Sequence, residues 1–324
     1  MGDDTSQWLS AHVFYNGDQD RLMEATLWPL AKALKHSDAV TQFFFVRYWE
    51  RGPHVRLRFK VPNSTEIPTI QQKIAAATRT HFLRWPSDGP LDAAAYDALQ
   101  KEQHSLEYGT QRTSAPGVVI GSCVEYIPYR PELQRYGGAV GMAISEKQFD
   151  ASSTASCEML MQLTEQREQK TTAGLKMMLE AVVAFGMHEK EALSFFASYL
   201  HYWKRHVPGI WRENLQIFCQ TYRTQRESIN AFVTSLFRGD CPTPTPGWGT
   251  AMAQIFANIC AQSDRISHGL AGSKQPRIDR LLLAAYLHMN NNRLGLLAWN
   301  EAYFAFLIVS SLMDCGFGTA EIPQ

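Results

Sequence analysis

The chain carries little charge and no excess of either sign. Charged residues make up 19% of its 324 positions, with Lys+Arg and Asp+Glu both at 31. A protein whose main task is to hold nucleic acid needs a basic surplus, so that class is excluded, although a local basic cleft is not. Cysteine is sparse and scattered. Cys123, Cys157, Cys219, Cys241, Cys260 and Cys315 form no C-x-x-C pair, which reads as reduced thiols rather than a disulfide framework or a zinc site. The longest apolar run, Ala302 to Met313, is interrupted by Ser310 and Ser311 and falls short of the ~20 residues that span a bilayer. The polar, acidic start from Met1 to Gln7 is no signal peptide. It does fit the loose myristoylation pattern over Met1 to Ser6. A soluble, cytoplasmic protein is expected.

Familiar catalytic signatures are also missing. There is no G-x-S-x-G elbow, no phosphate-binding P-loop, no H-E-x-x-H, and no G-x-G-x-x-G after a strand. The histidines do not fall at metal-ligand spacing: His201 and His206 are five apart and miss one helical face. Neither a metal nor a cofactor is expected. The Trp, Tyr and Arg of the stretch from Trp203 to Tyr222 read as helical core rather than a nucleic-acid stacking surface.

What is present is a core. Hydrophobic residues make up 45% and aromatics 11%, too much for a disordered chain. At ~150 residues per domain, the length suits two domains or one large one. Residues 1–140 mix strand-like and helical patterns, whereas 141–324 are helical almost throughout. The expected fold class is α+β, a small antiparallel β-sheet in the N-terminal part with a large helical remainder. A single domain of two lobes is anticipated, with a Pro-rich linker at 240–249.

In the first lobe, strand-like residues from Trp8 to Tyr15 precede a helix from Asp18 to Lys35, with Asp18 as its cap. The runs Gln42–Trp49 and His54–Val61, joined by Glu50-Arg51-Gly52-Pro53, form the clearest hairpin. A helix follows over Ile67–Leu83, then a strand-like stretch over Val118–Tyr129. In the second lobe, helices are expected over Ser145–Gln169, Thr171–Phe185, Glu189–His206, Trp211–Phe237, Ala251–His268, Ile278–Asn291 and Trp299–Met313.

Three constellations carry candidate chemistry. In His54-Val55-Arg56-Leu57-Arg58-Phe59-Lys60-Val61, period-two geometry places His54, Arg56, Arg58 and Lys60 on one face. Such a face is either a solvated edge that deters aggregation or a carboxylate or phosphate site built from guanidiniums. Arg47 joins it or points away, depending on register. The second is Tyr129 to Gly138, where Pro131 and the glycine pair mark a turn bearing Arg130, Arg135 and Tyr136, either a connector or a close approach to ligand. The third is His288-Met289-Asn290-Asn291-Asn292-Arg293-Leu294-Gly295. His288 stands near the end of an apolar helix, where the helix dipole favours its charged form. The asparagines and Gly295 are either C-capping or part of a site.

Taken together and in order, these motifs resemble the C-terminal glutamate-elimination domain of class I lanthipeptide and thiopeptide dehydratases. The carriers are Phe43-Phe44-Phe45-Val46-Arg47-Tyr48 with His54-Val55-Arg56-Leu57-Arg58-Phe59, then Tyr129-x-Pro131-Glu132-x-x-Arg135-Tyr136-Gly137-Gly138 with Glu146 and Phe149, then the His288 segment. The resemblance spans residues 8–313 and implies four catalytic residues, Arg56, Arg58, Arg135 and His288. Arg47, His54, Tyr136, Asn292 and Arg293 are the implied substrate-binding residues. The implied reaction removes glutamate from glutamylated Ser or Thr of a precursor peptide, leaving dehydroalanine or dehydrobutyrine, with no cofactor. A chain of this length has no room for the glutamylating half, so a freestanding protein served by a separate glutamyl-tRNA-dependent partner is expected. The alternative within the same fold is a pyridine synthase, which joins two dehydroalanines by a formal [4+2] cycloaddition and expels the leader peptide. A non-catalytic peptide-binding protein is the third reading. One departure stands out: position 134 is Gln where the resemblance leads one to expect an acidic residue beside Arg135.

Overall fold

β-Branched and aromatic residues near the N-terminus form one antiparallel sheet. A computed structural model describes residues 7–89, 91–98, 117–163, 167–241, 244–269 and 278–320. The myristoylation pattern at 1–6, like positions 242–243 of the Pro-rich stretch, lies outside them. The strands are β1 (Gln7–Phe14), β2 (Gln42–Tyr48), β3 (His54–Val61) and β4 (Cys123–Tyr126), in the order β2-β3-β1-β4. The last is shorter than its strand-like stretch of sequence. Gly121, at φ +91, precedes it, and Pro128, with no N–H to pair, follows it.

One sheet face is closed by helices. Leu9, Ala11, Val13, Phe43, Phe45, Val55, Leu57, Phe59 and Val61 point into a core shared with α1 (Gln19–Leu22), α2 (Trp28–His36) and α3 (Ile67–Arg84). Asp18 caps α1, accepting from the backbone N–H of Asp20 and Arg21 at 2.9 and 3.1 Å. The single helix read over Asp18–Lys35 is interrupted by a π-turn at Met23–Leu27, where the Trp28 N–H bonds to the Met23 carbonyl. Pro29 explains the widening, since it cannot donate to the carbonyl four residues back and its ring crowds that group.

The chain divides into two compact units, Met1–Pro131 with Ser156–Gln162, and Glu132–Ala155 with Leu163–Gln324. The division falls at 131/132 rather than at 140. Cys157 belongs to the sheet's core, which accounts for the return of 156–162 to the first unit.

The second unit contains α4 (Gly138–Gln162) up to Ala155, then α5 (Arg167–Ala184), α6 (Glu189–His206), α7 (Pro208–Arg238), α8 (Trp248–Ala261), α9 (Ser263–Gly269), α10 (Ile278–Arg293) and α11 (Ala298–Asp314). The buried α11 packs along α6 and α7. Helix α4 starts seven positions earlier than its pattern suggests, because packing overrides the poor helix propensity of glycine. A helix expected over Ala251–His268 breaks at Gln262, between α8 and α9. Both flanks of the 240–249 stretch belong to the second unit. It is docked there: the Thr245 N–H bonds to Glu180 at 2.8 Å, and the buried Trp248 indole N–H bonds to the Met177 carbonyl at 2.9 Å.

Gly141 shows why α4 needs small residues at its start. A Cβ there would lie 1.8 Å from the Tyr136 carbonyl oxygen and 3.3 Å from an Ile266 methyl. Gly141→Ala is therefore expected to destabilise the protein by at least the 1–3 kcal/mol, roughly, of an overpacked core. Chemical denaturation checks this; an unchanged midpoint would show that the turn before α4 yields freely.

Candidate functional site

The hairpin register decides the first constellation. Arg56 pairs with Val46 on β2 and with His12 on β1, while Arg58 pairs with Phe44 and Ser10. The face away from the core thus carries His54, Arg56, Arg58 and Lys60 alongside Ser10, His12, Phe14, Phe44 and Tyr48. Arg47 pairs with Val55 and takes the opposite face, where its guanidinium meets Asp20 at 2.7 Å. It does not join the patch.

The arginines on and beside this face have defined company. The Arg56 guanidinium lies over the Tyr48 ring, 3.4 Å from its centroid, and reaches Glu50 at 3.3 Å. Its Nε donates to His54 Nε2 at 3.2 Å. His54 Nδ1 in turn meets the Gly52 carbonyl at 2.8 Å. A carbonyl only accepts, so the proton sits on Nδ1 and Nε2 receives from Arg56. His54 is buried, with both ring nitrogens engaged. Its imidazole contacts Arg56 directly. Arg58 lies over Phe44 and Tyr129, at 5.3 and 4.7 Å. Arg51, at φ +68 in the hairpin turn, forms a two-pronged pair with Glu125 at 2.7 and 3.1 Å.

His12 is the member that motif reading missed. Its ring stacks on His54 at 5.1 Å, and it is buried. Burial, and then the nearby His54, Arg56, Arg58 and Arg51, push its pKa down to about 2. Burial and the same arginines lower His54 to about 3, against the Gly52 hydrogen bond. Period two in the run from Trp8 to Phe14 was the available signal, but placing His12 beside Arg56 needed the β1–β3 register.

The second constellation passes into the other unit at Glu132, and the third lies there entirely. Arg135 is half exposed and reaches Glu132 at 3.2 Å, three residues back in the turn before α4, which supplies an acidic partner that Gln134 cannot. Tyr136 is buried, stacked parallel to Tyr286 at 6.4 Å and edge-on to Phe149 at 5.2 Å.

Helix α10 runs on to Arg293, past the asparagines, and the chain turns at Gly295 with φ +75. The asparagines are not C-caps. Asn290 accepts from Ser152 at 3.0 Å, and the amide of Asn291 approaches the Met178 sulfur at 3.2 Å. Arg293 is fully buried, donating to Ser152 at 3.2 Å with its guanidinium 5.3 Å from the Phe149 ring centroid. It thus joins α10 to α4. Asn292 is half-buried.

His288 is different. Its side chain is 32% exposed, while its partner Glu301, on α11, is 1% exposed. Nδ1 lies 2.7 Å from Glu301 Oε1, and the Tyr199 hydroxyl on α6 donates to Oε2. The Trp203 ring packs against the imidazole at 4.7 Å, tilted by 31°. A half-exposed imidazole backed by a buried carboxylate can move protons. Among the described residues no group of three or more His, Cys, Asp or Glu side chains could hold a metal ion, and no helix is long and apolar enough to cross a membrane.

Comparison with known proteins places the chain. The family model for the C-terminal part of lantibiotic biosynthesis dehydratases matches residues 8–312. The chain belongs to this family. Its fold is shared with three solved structures. The pyridine synthase TbtD from thiomuracin biosynthesis has a TM-score of 0.74 at 16% identity, with 95% of this chain and 98% of that one covered. TsrL gives 0.59 at 14%, covering 96% and 95%. The tRNA-dependent lantibiotic dehydratase MibB from Microbispora sp. 107891 gives 0.57 at 18%, covering 97% of this chain but 28% of that one. No curated protein sequence matches. For this member of the lantibiotic dehydratase C-terminal family, Arg56 and Arg58 lie in the first unit, and Arg135 and His288 in the second.

The buried histidines set an acid limit on stability. His12 and His54 are neutral when folded, whereas unfolded histidines gain a proton below pH ~6.5, so the unfolded state binds more protons as pH falls. Stability is therefore lost below pH ~6.5, by about 1.4 kcal/mol per histidine at pH 5.5, continuing towards folded values of about 2 and 3. Urea titrations between pH 7.5 and 5 are expected to show this loss, with a shallower slope in His12→Gln. Equal slopes in the two proteins would show that His12 titrates normally.

Proposed function

We propose that this family member is a lyase of ribosomal peptide natural-product biosynthesis. It eliminates glutamate from glutamylated Ser or Thr in a precursor peptide. The observation that carries the reading is the β3 face, where Arg56 and Arg58 are held by aromatic rings and, at Arg56, by a neutral imidazole. Fixed guanidiniums suit an anion, and this reaction handles anions twice: in the enolate formed when the Cα proton leaves, and in the departing glutamate carboxylate. The Cα–H electrons form the Cα=Cβ bond, the Cβ–O bond breaks, and glutamate departs with the bond's electrons.

In this reading Arg56, Arg58 and Arg135 stabilise negative charge, which stays within their chemistry because guanidinium does not deprotonate in proteins. His288 transfers the proton. Asn292 remains a substrate-binding candidate. His54 positions Arg56; Arg47, Tyr136 and Arg293 keep structural roles. The glutamyl group comes from a separate glutamyl-tRNA-dependent protein.

A second reading is supported by the near-complete coverage in both directions with a protein described as a pyridine synthase. Here two dehydroalanines join by formal [4+2] cycloaddition and the leader peptide is expelled. Mass spectrometry separates the two on synthetic peptides, one carrying O-glutamylserine and one carrying two dehydroalanines. Elimination predicts loss of glutamate from the first, slowed by about 10²–10⁴ in His288→Ala, the usual contribution of a proton-transfer group, and strongly slowed in Arg58→Ala. If the first peptide survives intact and the second cyclises, the pyridine-synthase reading replaces it.

A further inference from the structure

The environment of His288 specifies its protonation more narrowly than its exposure does. Glu301 is almost fully removed from water, yet both carboxylate oxygens have partners: Nδ1 of His288 on Oε1 and the Tyr199 hydroxyl on Oε2. An ionised carboxylate only accepts hydrogen bonds. The neutral imidazole must therefore carry its proton on Nδ1, and its lone pair falls on Nε2. Tyr199 is itself buried, and burial together with the Glu301 charge holds its phenol well above the usual range, so it stays a donor. Trp203 stacks on the imidazole and restricts its rotation.

We propose that Glu301, locked by Tyr199, is a positioning residue that fixes the proton of His288 on Nδ1 and presents Nε2 as a base. The proposal rests on the assignment of His288 as the proton-transfer group and assigns the direction of transfer. His288 accepts the substrate proton at Nε2, and the resulting imidazolium faces a carboxylate already in place. The same Nε2–H is then available to the departing glutamate carboxylate. The proton thus travels from Cα to the leaving group, and the histidine returns to its starting state.

The test combines kinetics with a readout that needs no substrate. In uniformly ¹⁵N-labelled protein, the His288 imidazole is expected as the Nδ1–H tautomer with a low-field, hydrogen-bonded Nδ1 proton. Glu301→Gln should lose that signature and mix the tautomers. On the O-glutamylserine peptide, kcat should fall about 10²–10⁴-fold, as when the carboxylate behind a catalytic histidine is made an amide. KM should stay within about twofold, because no substrate contact is removed. Tyr199→Phe deletes one hydroxyl and should cost about tenfold in kcat with the Nδ1–H tautomer retained, the scale of one hydrogen bond. If Glu301→Gln fails to fold, Tyr199→Phe and the charge-retaining Glu301→Asp still decide. A partial kcat defect with unchanged KM supports the proposal, and wild-type kcat in both overturns it. An Nε2–H tautomer in the unaltered protein also overturns it. Full activity in His288→Ala, with the Nδ1–H tautomer found in the unaltered protein, instead defeats the functional assignment of His288 and leaves the positioning geometry standing.

Discussion

The antiparallel register of β2, β3 and β1 is the constraint on which the first unit depends. Side chains alternate with a period of two, so a slip of one residue would send Arg56 and Arg58 into the core and expose Leu57 and Phe59. Burial of Val55, Leu57, Phe59 and Val61 against the helices forbids that slip. The forces that stabilise the sheet are therefore the forces that collect the cations. Close guanidiniums repel, and the surroundings offset this without filling the face with acid. Glu50 and Glu125 take Arg56 and Arg51, aromatic rings lie beneath Arg56 and Arg58, and the two buried histidines stay uncharged.

The second unit is specified differently, by polar groups buried between helices. Ser145 bonds the Tyr286 hydroxyl at 2.8 Å, and Ser152 meets both Asn290 and Arg293. Buried polar groups are costly when unmatched, so such pairs hold α4 and α10 to one alignment. His288 lies on that same α10 and Glu301 begins the adjoining α11. The alignment that satisfies Arg293 is thus also the one that carries the imidazole. The close turn at Tyr136 and Gly141 fixes where α4 starts, so packing accounts for the glycine there.

Much of this was legible in the sequence because local periodicity dictates it. The alternation from His54 to Val61 gave the cationic face, and the bounds of the helix over Glu189–His206 follow from its apolar spacing. What stayed hidden depends on partners distant in sequence. Arg47 and Arg58 look equivalent until the hairpin register separates them. His12 gains its neighbours through pairing across 44 positions, from His12 to Arg56. Arg293 and the asparagines look like a helix terminus, since a charge after an asparagine run is usually solvated, yet Ser152 and Phe149 draw them inward. Glu301 is thirteen residues from His288 on another helix, a separation that no helical period brings together. The family resemblance named candidate reactive residues, but not the groups that pack against them.

The two reactions proposed above would place different demands on the same side chains, and they differ most in the demand for anion stabilisation. Dehydroalanines enter cycloaddition without net charge, so a fixed cationic face offers them a modest advantage. An ester of glutamate brings a carboxylate and releases a second, and the electron flow passes through an enolate. Each of these is stabilised by preorganised donors that need not rearrange as charge develops. Holding Arg56 by a ring, a carboxylate and an imidazole restricts its rotamers before substrate arrives, at a cost in stability that a structural surface cation would not require. Keeping His54 neutral is part of the same arrangement, since a protonated ring would lose the lone pair that receives Arg56 Nε and add a charge beside it. In the elimination we propose, an arginine restrained in this way is already organised for the anion it would meet, in the enolate and again in the departing carboxylate.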